Sequence, residues 1–200
     1  MIAPEAQEVR VWDIAVRVGH WSLVGLFVVA YLSGEVELEA LHAWAGYGVL
    51  GIVAFRIVWG FIGTRHARFI DFVFGWAQTR AYARSLLRLE PTHYLGHNPL
   101  GAWMILALLA TLLLLSWSGL EVYAVEGKGP LAAHAVTLVT PARAHDRNGD
   151  GKEEHESLWE DVHEFLAHLS LLLVLLHIAG ALVASLIHRE NLVRAMITGR

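Results

Sequence analysis

The sequence predicts an all-α integral membrane protein, a four-helix bundle with both termini in the cytoplasm. Hydrophobic residues make up 56% of the 200-residue chain and charged residues only 17%, and the mean hydropathy is +0.47. Soluble domains carry about 25% charged residues. The charges here are grouped between four long apolar stretches, as in a chain dissolved mainly in lipid. We expect residues 1–200 to form a single transmembrane domain.

Four stretches are long enough to cross a bilayer, whose hydrocarbon core needs roughly 20 apolar residues in a helix. The first covers residues 14–33 and the second residues 42–62. The third, residues 99–118, contains no ionisable side chain, and the fourth covers residues 163–187. Each is too long for a strand, so each is predicted to be a helix.

The charges of the connecting segments predict the orientation. Residues 63–97 carry five arginines against two acidic residues, and the tail after the fourth stretch is also rich in arginine. Residues 34–41 contain three glutamates and no basic residue, and residues 119–162 contain nine acidic and four basic residues. Cytoplasmic loops are enriched in Lys and Arg. Both termini and the loop 63–97 are therefore expected in the cytoplasm, and the loop 119–162 in the periplasm.

The residue types limit the chemistry. The chain has no cysteine, which excludes disulfides, iron–sulfur clusters and covalently attached haem. A metal would have to be held by His, Met or carboxylate side chains, and the chain contains twelve histidines. Ionisable residues within a membrane span are costly and are functional candidates by default.

Four histidines fall at two depths of the predicted bundle. His163 and His177 are fourteen residues apart in the fourth stretch, so they share a helix face and are separated by about 21 Å along the axis. His163 then lies at the depth of His42, at the periplasmic side. His177 lies at the depth of His20, near the cytoplasmic side.

Two His pairs at two depths predict two bis-histidine haems of the b type, because imidazole suits iron and no thiolate is available. We assign His42 and His163 to the outer haem and His20 and His177 to the inner haem. A single intramembrane histidine often only forms a hydrogen bond between helices, but that explanation would have to apply to all four. A proton relay is another alternative, although no carboxylate partner lies within the predicted spans. His168 points to a different face and is not expected to be a ligand.

Two arginines are predicted to pair with haem propionates, which are suitable partners for a buried cation. Arg56 is fourteen residues after His42, on the same face and at the depth of the inner haem. Arg17 lies one turn before His20; it could instead pair with Asp13. Nearby glycines would let a flat macrocycle approach the helix backbone or serve helix packing; these are Gly46, Gly48, Gly51 and Gly180.

Several segments resemble one family in order along nearly the whole chain: VWDIAVRVGHW, FRIVWGFIG, HNPLGAW, LLHIAGAL and HRENLVRAMITG. They are similar to the bacterial cytochrome b561 family, and most of all to the branch shared with the b-type cytochrome subunits of nickel–iron hydrogenases. The resemblance implies a four-helix di-haem cytochrome b that exchanges electrons between a periplasmic redox partner and the quinone pool. The family's ligand positions fall on His20, His42, His163 and His177.

The segment between the third and fourth stretches contains a pattern similar to the first half of an EF-hand loop, with Asp146, Asn148 and Asp150 as candidate calcium ligands. The twelfth position is Ser157 where the EF-hand has a bidentate glutamate. A solvated acidic turn is the alternative interpretation.

The preferred function is a membrane electron conduit, with a basic c-type cytochrome or a hydrogenase-like module as the periplasmic partner. We place the quinone near Trp59, Arg65 and His66, where an aromatic face and hydrogen-bond donors meet the cytoplasmic interface. One alternative is a superoxide oxidase that passes electrons to quinone, and another is a haem-free anchor or transporter subunit. We expect lipid contacts and no nucleic-acid partner; a homo-oligomer is left open.

Overall fold

The computed structural model describes residues 12–88, 92, 94, 96–134 and 150–199. All regular secondary structure in these ranges is helical. Four helices are long and apolar enough to cross a membrane: α1 (Ile14–Glu35), α2 (Glu39–Ile62), a later helix Pro99–Val125, and the part Leu158–His188 of the helix Asp150–His188. The predicted all-α fold with four membrane-spanning helices is confirmed.

The shorter helices complete the element order. The segment after α2 contains α3 (Phe69–Phe72) and α4 (Trp76–Leu87), so that the two later spans are α5 (Pro99–Val125) and α6 (Asp150–His188). A 3-10 turn (Ala132–His134) follows α5, and α7 (Leu192–Thr198) ends the described chain.

Local signals explain where the helices begin. Asp13 is the N-cap of α1, and its side chain accepts a hydrogen bond from the Val16 amide at 2.8 Å. Asn98 caps α5 in the same way by accepting from Gly101 at 2.7 Å. Pro99 occupies the first turn of α5, where its missing N–H costs nothing.

Two helices extend beyond the apolar stretches by seven residues or more at one end. α5 continues to Val125 where the apolar stretch ends at residue 118, and α6 begins at Asp150, thirteen residues before the apolar stretch. A helix satisfies its backbone hydrogen bonds within itself, so it can continue from lipid into polar surroundings. The connection between the third and fourth spans is therefore helical at both ends.

The helices pack mainly as two pairs, α1 against α2 and α5 against α6, and α2 joins the pairs by packing on α5. Val49 and Val53 of α2 meet Leu109 and Leu112 of α5 in a buried cluster. This cluster lies at mid-depth, between the ends of the bundle. We call the end with residues 36–38 and 126–134 the outer end, and the end with residues 63–88, residues 96–98 and α7 the inner end.

Candidate functional site

His42 of α2 and His163 of α6 form a pair at the outer end, with ring centroids 5.9 Å apart and ring planes at 81°. Nδ1 of His42 lies 2.8 Å from the carbonyl oxygen of Ala30, and Nδ1 of His163 lies 3.1 Å from that of Leu115. A carbonyl oxygen only accepts hydrogen bonds, so both Nδ1 atoms carry the proton. Each Nε2 therefore keeps a free lone pair, which is what a metal ligand needs.

His20 of α1 and His177 of α6 form the second pair, nearer the inner end, with ring centroids 6.3 Å apart and planes at 57°. Nδ1 of His20 is buried and has no hydrogen-bond partner among the described residues. The structure thus brings the four histidines together in the two pairs expected from their spacing.

The geometry of both pairs fits haem iron. A metal–imidazole bond is about 2 Å long, so two imidazoles on opposite sides of one metal have centroids about 6 Å apart. Among the described residues no group of three or more His, Cys, Asp or Glu side chains is placed to hold a metal ion. Two protein ligands suffice only if the metal brings its other ligands with it, as the iron of haem does.

A cavity beside the outer pair leaves room between the two helix pairs. Its lining includes Phe27, Tyr31, Gly46, Tyr47 and Tyr123 together with His42 and His163. A Cβ atom added to Gly46 would meet no atom within 4 Å, so this glycine leaves open space facing the cavity. A Cβ on Gly48 would lie 2.8 Å from Leu26, so this second glycine serves helix packing.

The two arginines carry buried nitrogen atoms near the inner end. Nη1 of Arg56 and Nε of Arg17 have no hydrogen-bond partner among the described residues. The Arg56 guanidinium lies 5.3 Å from the ring centroid of Phe69 and 5.9 Å from that of Phe72. Arg17 also donates through Nη2 to the backbone carbonyl of Ile197. Buried guanidinium nitrogens need an anionic or polar partner, and a haem propionate would supply one.

Asp13 is occupied by partners other than Arg17. Its carboxylate accepts from Thr64 at 2.5 Å and from the Trp59 indole at 3.1 Å, besides Val16. Burial raises the pKa of Asp13, but hydrogen bonds from Thr64, Val16 and Trp59 outweigh it and leave the pKa below the ordinary value. Asp13 therefore fastens the start of α1 to the end of α2.

The residues predicted to contact quinone lie around this junction. Arg65 and His66 line a cavity at the inner end together with Trp12, Asp13 and Arg17. Trp59 does not line this cavity, and its indole N–H is already engaged with Asp13.

His97 is a residue of the inner end that the sequence reasoning did not single out. Its ring stacks against Phe72 at 4.3 Å and meets Trp12 edge-on at 4.6 Å. Burial, and then the nearby positive charges of Arg56 and His66, lower the pKa of His97 to about 3. Two sequence signals mark this residue: its place at the start of the HNPLGAW segment and its position just before the Asn98 cap.

Glu121 was also missed, because the third span was expected to end before it. The extended α5 carries this side chain into the bundle, where it is only 1% exposed. Its Oε2 atom has no hydrogen-bond partner among the described residues. A proton relay was disfavoured for want of an intramembrane carboxylate, and the helix boundary removes that objection.

The remaining sequence candidates lie elsewhere. Asp146 and Asn148 lie outside the described residues, and Asp150 is the first residue of α6. His168 is exposed, and its Nδ1 lies 2.9 Å from the carbonyl of Glu164 in its own helix.

Comparison with known proteins gives one family. The model of the family described as prokaryotic cytochrome b561 matches residues 11–199. The chain is 25% identical to a probable Ni/Fe-hydrogenase B-type cytochrome subunit of Rhizobium leguminosarum bv. viciae, over 98% of this chain and 90% of the relative. Proteins of the same description from Azotobacter chroococcum mcd 1 and Rhodobacter capsulatus are 27% and 26% identical, over 96% of this chain and 87% and 80% of the relatives.

No solved structure matches the chain at a significant level. The family match nevertheless covers the four spans and all four paired histidines. It agrees with the resemblance of the sequence motifs and with the haem-sized spacing of both ring pairs. The chain therefore belongs to the prokaryotic cytochrome b561 family, and it is a haem-binding, multi-pass protein of the bacterial inner membrane.

Proposed function

We propose that the protein is a di-haem cytochrome b that transfers electrons between a periplasmic redox partner and the quinone pool. The observation that carries this proposal is the presence of two histidine pairs with centroid spacings of 5.9 and 6.3 Å, one toward each end of the bundle. With one histidine pair at each of two depths, an electron would cross the membrane in two shorter transfer steps. Bound haem supplies the one-electron redox chemistry.

In this proposal the protein's own residues bind and orient the two redox groups and shield the space between them from water. His42 and His163 would hold the outer group through Nε2, and His20 and His177 would hold the inner one. Arg17 and Arg56 bind the propionates of the inner group through their buried nitrogens. The apolar layer formed by Val49, Val53, Leu109 and Leu112 keeps water out between the two positions.

The outer end suits a basic partner protein. The carboxylates Glu35, Glu37 and Glu39 are exposed beside the outer pair, and α6 adds Glu160, Asp161 and Glu164. Complementary charge mainly accelerates association and selects the partner. A c-type cytochrome or a hydrogenase-like module fits this surface, and the descriptions of the relatives from hydrogenase systems support the second.

The inner end suits quinone. In the cavity lined by Arg65, His66, Arg17 and Asp13, the side chains of Arg65 and His66 offer hydrogen-bond donors to a quinone head group. One of its lining residues, Arg17, lies one turn before His20 on α1, and the cavity is on the arginine-rich side, from which protons for quinone reduction would enter if that side faces the cytoplasm. We expect His66→Ala and Arg65→Ala to slow quinone reduction while haem content stays at the wild-type level.

A pyridine haemochrome assay with single-ligand variants tests the proposal. We expect two haem b per purified wild-type chain and one after His20→Ala, His42→Ala, His163→Ala or His177→Ala. His168→Ala is the matched control, because His168 lies on α6 five residues after His163 but is exposed, and it should retain both haems. Colourless wild-type protein from haem-replete cells would refute the proposal.

Orientation is tested separately, and the absence of native cysteine makes this direct. We expect a cysteine introduced at the exposed Glu37 to react with a membrane-impermeant maleimide added to intact spheroplasts. A cysteine at the exposed Arg84 should react only after the membrane is permeabilised. The reverse pattern would place both termini in the periplasm.

The superoxide-oxidase alternative needs positive charge near the outer pair to attract an anion. Lys128 is the cation with a described side chain there, and it is bound by Glu39 at 2.5 Å and Glu126 at 2.9 Å. The hydrogen bonds that Lys128 donates to these two carboxylates raise its pKa. The charge of Lys128 is thus more than balanced locally, so this surface favours a cationic partner over an anionic substrate.

A further inference from the structure

Each of the two outer histidines contacts a five-residue segment of a neighbouring helix, and both segments end in a Ser-Gly pair. Residues 30–34 of α1 read AYLSG and residues 115–119 of α5 read LSWSG. In each, the first residue supplies the carbonyl that accepts from the imidazole Nδ1, at 2.8 Å for His42 and 3.1 Å for His163. We call residues 30–34 and 115–119 the two Ser-Gly motifs.

The glycine of each motif lies directly against the imidazole. A Cβ atom on Gly34 would be 3.1 Å from Nδ1 of His42, and one on Gly119 would be 2.9 Å from Cε1 of His163. The contact at Gly119 is closer than real Cβ atoms come, and the contact at Gly34 is tighter than nine in ten of them, so an added methyl group would push each ring away from the carbonyl one turn earlier. The close approach of ring to helix backbone is therefore what makes the Nδ1 hydrogen bond geometrically accessible.

The serine of each motif is buried and donates to the same carbonyl. Ser33 Oγ lies 3.1 Å from the oxygen of Ala30, and Ser118 Oγ lies 3.0 Å from that of Leu115. The exposed fractions of these serines are 2% and 1%. Ser118 Oγ is also 3.0 Å from Nδ1 of His163, so it accepts from the imidazole while donating to Leu115.

We propose that the two Ser-Gly motifs are positioning elements that fix the tautomer and the ring orientation of the outer ligands His42 and His163. The inference rests on the proposed ligand roles of these histidines. A ligand imidazole whose other nitrogen donates to a carbonyl is oriented and made more basic, which stabilises the oxidised metal. The motifs therefore lower the midpoint potential of the outer haem, and they do so from α1 and α5, the helices that precede the ligand helices.

The test uses glycine-to-alanine variants of the two motifs. Glycine-to-alanine variants at exposed positions of α1 and α2 are the controls. Gly34→Ala and Gly119→Ala push the imidazole away from its carbonyl. Gly25→Ala on α1 and Gly51→Ala on α2 add the same methyl group at exposed positions with nothing within 4 Å. Optical redox titration, haem quantitation and EPR of the ferric protein are measured on each purified full-length variant.

We expect Gly119→Ala to lose the outer haem, or to retain it with a raised midpoint potential and a changed EPR signal. Gly34→Ala, with the looser contact, should show the smaller change, and both controls should match wild type. Ser118→Ala should change the same EPR signal while both haems are retained, and Ser118→Thr, which keeps the hydroxyl, should restore it.

The two proposals fail in different ways. Wild-type protein without haem, or with two haems that survive both His42→Ala and His163→Ala, would overturn the proposed function. A two-haem wild type whose potentials and EPR signals are unchanged in Gly34→Ala, Gly119→Ala and Ser118→Ala would overturn the role of the Ser-Gly motifs alone.

Discussion

The outer and inner histidine pairs have nearly the same ring spacing but different surroundings. In the outer pair each Nδ1 has a backbone carbonyl acceptor, and exposed carboxylates surround the pair's end of the bundle. In the inner pair Nδ1 of His20 has no acceptor among the described residues, and Arg17 and Arg56 carry buried nitrogens nearby. Donation to a carbonyl favours the oxidised metal, whereas nearby positive charge favours the reduced one.

The contrast gives the two sites opposite redox biases. We expect the outer haem to have the lower midpoint potential and the inner haem the higher one. Electrons that enter at the acidic end would then move downhill toward the arginine-rich end. Ring spacing alone would make the two sites equivalent, so in the proposed di-haem protein the groups behind the histidines would set the direction of electron flow.

The largest expected effect comes from removing one ligand of each pair. A redox titration of the wild type should resolve two components. His177→Ala should abolish the component of higher potential, and His163→Ala the component of lower potential, because each haem loses an axial ligand. If His163→Ala removed the high-potential component instead, the assignment of the two biases would be reversed.

The next effect concerns the positive charge near the inner pair. Arg56→Gln should lower the potential of the high-potential component by tens of millivolts, because two unit charges about 8 Å apart at an effective dielectric constant of about 20 interact by about 2 kcal/mol. Arg80→Gln, which removes an exposed arginine of α4, is the control and should leave both components in place. An unchanged titration for Arg56→Gln would show that this arginine acts on neither haem.

His97, at the inner end, makes the stability of the protein depend on pH. Its folded-state pKa of about 3 lies below the ordinary value of 6.5, so the unfolded chain takes up a proton here before the folded protein does. The stability contributed by neutral His97 is therefore complete above about pH 6.5 and is lost as the pH falls toward 3. We expect the thermal midpoint of wild type to fall more steeply over this interval than that of His97→Gln, as measured by near-UV circular dichroism. Parallel curves would contradict the assignment.

The smallest effect belongs to Glu121 at the outer end. A buried carboxylate oxygen without a partner costs free energy, and glutamine keeps the shape without the charge. Glu121→Gln should therefore raise the free energy of unfolding by about 1 kcal/mol at neutral pH. Glu126→Gln, at the exposed C-cap of the same helix α5, is the comparison. A destabilised Glu121→Gln protein would show that the charge of Glu121 has a stabilising partner.

The sequence allowed much of the arrangement of the spans and their histidines to be predicted. Apolar length gave the four spans, and a spacing of fourteen residues placed His163 and His177 on one face of α6, because helical periodicity is a local property. The sequence does not determine which helices are neighbours. The pairing of His20 with His177 was therefore predicted only from their similar depth in the membrane. The haem-type chemistry followed from the residue types, because the chain has histidines within its spans and no cysteine.

The positions of other side chains could not be predicted, because they depend on where a helix ends and on which residues pack against it. Glu121 was placed in a loop because apolar length marks the extent of lipid and not the extent of a helix. Trp59 was predicted to face quinone, but its indole is bonded to Asp13, a residue 46 positions earlier. Contacts of that separation leave no periodic signal in the sequence.

The amino-acid sequence by itself determined the four spans, the histidines within them and the unequal charge of the two ends. These follow from hydropathy, helical periodicity and composition, all of which act within one segment. Only the tertiary structure decided that two Ser-Gly motifs on α1 and α5 contact the outer histidines on α2 and α6. Gly119 and His163 are separated by 44 positions, and the contact exists because α5 and α6 pack closely enough for an imidazole to reach a neighbouring backbone.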